Sequence, residues 1–163
     1  MALRFLSRVP LLRPLICAGL KRWVADAREP DELIMDGQGR VYMRRWWLKR
    51  SDQGNWYLHN MIRPDAVKDP HNHPWSFDTW VLSGGYLDVS YERNQRCHAD
   101  RVRAGDYRVR AADHMHVIPE VQEDTWTLVR TGSKRPESWG FWDLERDRFV
   151  SWQRYLEENP ERA

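Results

Sequence analysis

Cysteine is nearly missing from this chain: Cys17 and Cys97 are its two examples in 163 residues. With no C-x-x-C spacing they encode neither a disulfide framework nor a zinc ribbon, and a reducing, cytoplasmic setting is the default expectation. Net charge is also nearly missing. Lys and Arg number 26 against 24 Asp and Glu, a balance that makes no field strong enough to point to nucleic acid as the main partner. There is no internal repeat at solenoid periods and no low-complexity linker, which excludes a repeat array and a tethered pair of domains. What the chain does have is aromatic bulk. Ten Trp, six Tyr and four Phe sit in an otherwise hydrophilic sequence of mean hydropathy −0.81. Burial is therefore concentrated in a few large side chains, and the length suits a single domain with a proper core.

The first 25 residues are basic and free of acids, with Arg4, Arg8, Arg13, Lys21 and Arg22 before Asp26. Pro10 and Pro14 limit any helix there to short pieces. Arg13 interrupts the apolar run, so a secretory signal fits poorly, and a transmembrane span would be too short and too charged. An organelle transit peptide or a helix on an anionic membrane surface fits better. The reading preferred over both is packing across the main domain or against a second subunit. The segment is delimited as residues 1–33.

From residue 34 to 148 the pattern is one of short strands between turn residues, the signature of a sandwich or barrel. Segments 40–48 and 55–62 flank Ser51-Asp52-Gln53-Gly54 as a hairpin, its glycine supplying the positive φ of such loops. Segments 76–82 and 86–92 join across Ser83-Gly84-Gly85. Further strands are expected at 101–103, 107–110, 116–118, 125–130 and 139–143. A helix over 149–158 closes the chain within a C-terminal unit of residues 149–163.

Two histidine clusters carry the chemistry: His71-Asn72-His73 and His114-Met115-His116. In extended chain, residues i and i+2 point to one side, so each cluster presents two imidazoles together. Two such segments meeting in a fold supply the three or four ligands a first-row metal takes.

These clusters resemble the cupin superfamily, whose first motif runs H-x-H, three or four residues, an acid, six residues and Gly. His71, His73, Asp78 and Gly85 match it. The second motif, Gly, five residues, Pro-x-Gly, two residues and His, is matched by Gly105, Ala111-Ala112-Asp113 and His116. The strings HNHPWSF, VLSGGY and WGF…FVSWQRYL, between Tyr57 and Leu156, are similar to small bacterial and phage-type metal-binding cupins. The resemblance implies an all-β fold, a single double-stranded β-helix (jelly-roll) barrel with short helices at both termini. It also implies one divalent metal on His71, His73, Asp78 and His116, with His114 in reserve, and a homodimer by analogy.

Two departures bear on the site. Without Pro-x-Gly, the turn before the last ligand falls to Asp113, which tolerates the left-handed region less well than glycine. Counting back from Gly84 rather than Gly85 puts Phe77 in place of Asp78, and alternation sets those two on opposite faces. Asp88 or Glu92 on the next strand is the alternative acid, and with none of them the site is three histidines.

Around the metal, His59 and Tyr57 are the candidate proton carriers, and Trp75 and His114 candidate substrate contacts. Arg63 is the candidate partner of a substrate carboxylate, since guanidinium forks match carboxylates. His98 reads as a surface group. The run from Tyr42 to Arg50 mixes basic and aromatic residues, yet alternation divides Arg44 and Trp46 from Arg45 and Trp47, so no nucleic-acid platform forms. Open positions on such a metal point to an enzyme acting on a small polar molecule. Fe(II) and dioxygenase chemistry lead, Zn, Mn or Ni and isomerase or lyase chemistry follow, and a non-catalytic ligand-binding module is the remaining alternative.

Overall fold

A computed structural model describes residues 11–36, 38–92, 96–135 and 139–159. The start of the basic N-terminal segment, Gly37 of the first turn and residues 160–163 of the C-terminal unit lie outside these.

Eleven strands are described: β1 (Glu32–Met35), β2 (Val41–Lys49), β3 (Trp56–Met61), β4 (Phe77–Ser83), β5 (Gly85–Tyr91), β6 (Cys97–Arg103), β7 (Tyr107–Arg110), β8 (Met115–Val121), β9 (Thr125–Thr131), β10 (Gly140–Asp143) and β11 (Arg148–Ser151). Helix α1 (Leu12–Leu20) runs into a π-helical turn at Lys21–Ala25, and α2 (Trp152–Glu158) ends the described chain. The first sheet has the order β1-β2-β3-β9-β4-β7, every pairing antiparallel. The second sheet is β6-β5-β8, with the β10–β11 hairpin beside it. His71 joins these two parts by single bridges to His116 and to Phe141.

Period-2 alternation sorts the first sheet into an apolar outer face and a mixed inner face. On the outer face Trp46, Leu58, Trp80, Trp126 and Leu128 form a core closed by Cys17 of α1, with Ile16, Leu20 and Val24 packed against it. Residues 16–25 of the N-terminal segment thus pack across the main domain. Pro14 falls in the first turn of α1, where its missing N–H had no helical partner to lose. Between the sheets, Val81, Tyr86 and Val102 form a second cluster.

Two strands were not foreseen in the sequence. β1 is only four residues long, too short to show a period. β11 takes residues that the helical reading had assigned to its first turn, so α2 begins at Trp152. Asp113 is not left-handed either; the positive φ values outside glycine, among the described residues, are at Asp124 and Asp147. The turn before His116 closes instead through the His114 N–H donating to the Ala111 carbonyl at 3.2 Å. Gly84 does need its freedom: its φ is +65°, and a Cβ there would lie 2.4 Å from Thr125 Oγ1.

Candidate metal centre

The segment carrying the H-x-H pair is held extended from both ends. Asp69 and His73 each precede a proline, which disfavours helical backbone. The His71 N–H donates to the His116 carbonyl at 2.8 Å and the His116 N–H returns the bond at 2.9 Å, the reciprocal pairing that sets two residues directly opposite. Asn72 points the other way and accepts from the Gly140 N–H at 2.8 Å. Helix α2 fastens the segment as well. The buried Tyr155 hydroxyl donates to Asp69 at 2.6 Å, and the Tyr155 ring stacks on Phe141 with centroids 4.2 Å apart.

His71, His73 and His116 each offer a ring nitrogen, and the three lie within 4.8 Å of one another. His73 Nε2 and His116 Nε2 are 2.9 Å apart. Ligands on one ion at metal–nitrogen distances near 2.1 Å stand roughly 3–4 Å apart, so the cluster fits a metal with side-chain adjustment of about an ångström. Burial pulls the His71 ring down to about 4, with Asp65 opposing. Burial, then the neighbouring His71 and His116 rings, pulls His73 well below the ordinary histidine range. Both are therefore neutral near pH 7, as a metal ligand must be.

His116 is oriented from behind. Its Nδ1 lies 2.9 Å from Asp88 Oδ1, and the second Asp88 oxygen accepts from Arg110 at 2.7 Å. Burial would raise the Asp88 carboxyl, but His116 and Arg110 outweigh it and hold the group at about 2. The strand pairing explains the reach. A bulge between Leu87 and Val89 breaks the β5–β8 register and re-aims the intervening residue. Tyr86, Asp88 and Ser90 share this face of β5. Tyr86 lines the cavity in front of the histidines, Asp88 backs His116, and Ser90 Oγ lies 3.1 Å from His114 Nε2.

That cavity is about 130 Å³ and takes its walls from both sheets. The inner face of the first sheet supplies Met43 and Arg45, Tyr57 and His59, Phe77 and Thr79, and Thr127 and Val129. An outer pocket of about 470 Å³ shares Tyr42, Arg45, Asp65, His71, His73 and Trp75 with it.

Six expected residues, Tyr57, His59, Trp75 and the triad His71, His73 and His116, thus meet at one cavity. Three others do not. Asp78 is turned away: Phe77 and Thr79 line the cavity, while Asp78 accepts from Arg130 at 2.6 Å in a separate polar cleft. Strand alternation makes this choice, and β4 presents its odd-numbered residues inward. Arg63 is exposed, beyond the end of β3, and lines neither the cavity nor the outer pocket. His114 stands behind His116 beside Ser90 rather than in the cavity wall. His98 is a surface group 3.2 Å from Asp100, as expected.

Arg45 was not foreseen as a site residue. Its Nε–H donates to His59 Nε2 at 3.0 Å, another N–H donates to Glu32 at 2.8 Å, and the guanidinium lies over Tyr57, 4.7 Å from the ring centroid. Burial, then the Arg45 charge, drives His59 well below the ordinary range, and burial raises the Tyr57 hydroxyl. Alternation in β2 put Arg45 on a face opposite Trp46; the sequence offered no sign of which face was inner.

No family model matches the chain, and no curated protein matches it. Solved structures do. KdgF from Halomonas sp. superposes with a TM-score of 0.51 over 68% of this chain and 94% of its own, at 15% identity. A Ralstonia eutropha protein described as a proposed mannose-6-phosphate isomerase gives 0.50 over 63% and 93%, at 12% identity. Oxalate oxidase gives 0.46 at 19% identity over 58% of this chain, which spans about half (53%) of that protein's length. With the strand order and the histidine cluster, the first two likenesses establish the class: the chain has the cupin fold, with a histidine cluster that fits a cupin metal site.

Proposed function

We propose that this protein is a metal-dependent enzyme acting on a small polar molecule at one divalent ion held by His71, His73 and His116. The observation that carries this is three ring nitrogens within 4.8 Å of one another on the wall of a cavity. Imidazole donors without a carboxylate suit Fe, Zn, Ni or Cu better than Mg or Ca. Fe(II) and oxygen-dependent (dioxygenase) chemistry are the leading assignment, with isomerase or lyase chemistry next. A bound ion with three protein ligands supplies Lewis acidity and open positions for substrate.

The chain's own groups do the rest. Asp88 fixes the His116 tautomer by accepting its Nδ1–H, which turns the Nε2 lone pair toward His73. The Tyr57 hydroxyl stays protonated and His59 stays neutral, so both can hold or pass a proton at the cavity wall. Phe77, Trp75 and Met43 give the same space apolar walls.

Metal analysis of protein purified without added metal tests the reading. Stoichiometric iron, lost in His71→Ala, His73→Ala and His116→Ala and kept in His98→Ala, together with substrate-dependent oxygen uptake, supports it. A zinc ion that chelators remove only with unfolding would make the site structural and the protein a binding module. Metal retained in His73→Ala would refute the triad.

A further inference from the structure

Glu32, Arg45 and His59 are direct partners across β1, β2 and β3, and they form a continuous polar row along the inner face of the sheet. Arg45 sits on the wall shared by the inner cavity and the outer pocket, its side chain only 17% exposed. Of its five N–H donors, one goes to His59 and one to Glu32. The Tyr57 ring beneath it fixes the plane of the fork. A guanidinium held in this way presents its remaining donors in one orientation, and that geometry matches a carboxylate.

The charges around the cavity say what is missing. Arg45 is offset by Glu32 and Asp88 by Arg110. Three imidazole ligands bring no charge to a divalent ion, and Asp78 is spent on Arg130 outside the site. Among the described residues Asp65 is the one further carboxylate on the cavity wall, and one of its oxygens accepts the Ile118 N–H at 2.7 Å. A divalent ion here would face this single negative group, which leaves positive charge in a partly desolvated space. Such a space binds an anion in preference to a neutral molecule.

Resting on the metal reading above, we infer that the cavity selects an organic anion: a small carboxylate with an aromatic or apolar body. Its carboxylate is held by Arg45, and its body packs among Tyr57, Trp75 and Phe77. The specificity-determining residue is Arg45, in place of the exposed Arg63.

Calorimetric titration with benzoate, benzamide and inorganic phosphate tests this on the full chain, both metal-free and loaded with Co(II). Benzoate is expected to bind wild type about tenfold or more tightly than benzamide, and to lose about tenfold in Arg45→Met with cobalt content unchanged. Glu32→Gln, which frees an Arg45 donor at the cavity's outer edge, is expected to tighten benzoate binding. Equal benzoate affinity in wild type and Arg45→Met, benzamide binding as well as benzoate, or no benzoate binding to wild type overturns the inference. Phosphate binding more tightly than benzoate overturns the carboxylate assignment. If Arg45→Met does not fold, Glu32→Gln decides, and unchanged or weaker benzoate binding there is a refutation. Failure to take up cobalt refutes the metal reading separately, and the comparison on metal-free protein then decides the role of Arg45.

Discussion

Asp88 Oδ1 and His116 Nδ1 lie 2.9 Å apart, with His116 turning its other nitrogen to His73 at 2.9 Å. One carboxylate behind one imidazole thus sets both the proton's position and the direction of the lone pair. Asp88→Asn keeps the shape but removes the charge. It is expected to weaken metal affinity by roughly 10–100-fold, read by competition with a chelator of known affinity. Unchanged affinity would leave Asp88 with a packing role only.

Asp78→Asn should do the opposite and leave metal content untouched, because Asp78 faces Arg130 rather than the histidines. Arg130 is partly exposed, with 38% of its side-chain surface accessible, so the lost pair should cost about 1 kcal/mol or less. Loss of metal in this variant would return the acid to the coordination sphere.

The metal-free protein should lose stability on acidification. His71 and His114 each sit at about 4 in the folded chain, pulled down first by burial, against 6.5 for a free ring. Between those values the unfolded chain takes up protons that the folded chain refuses, so stability rises with pH across this window and is full above it. Asp88 works in the acid range. Held at about 2 against 3.8, it contributes stability present above 3.8 and lost as pH falls through 2. Urea titrations in the presence of a chelator at pH 7.5, 6.5, 5.5 and 4.5 check the first window. A flat profile would contradict the buried neutral histidines.

Removing residues 1–25 should unfold or badly destabilise the domain. Cys17 is 7% exposed against Trp46, Trp80 and Trp126, with Ile16, Leu20 and Val24 beside it, and uncovering that face should cost roughly 4 kcal/mol or more. Thermal melts and dye binding to exposed apolar surface report the effect. A truncated chain with the full melting temperature would show that α1 is dispensable. Among the described residues no helix is long and apolar enough to cross a membrane.

Much of this protein follows from local chemistry. The i, i+2 spacing and the flanking prolines put His71 and His73 on one side of an extended segment. The turn residues marked most of the strands, and alternation separated Arg45 from Trp46 and Phe77 from Asp78. Each of these depends on neighbours in the chain, so the sequence contains it. Tertiary structure alone decided which of two faces was the inside. Helix α1 buries Trp46 and Trp80 on the outer side, which commits Arg45 and Phe77 to the cavity and sends Asp78 away from the metal ligands. The bulge beside Asp88 and the pairing of His71 with His116 are contacts between segments 28 and 45 residues apart, and no local pattern carries them.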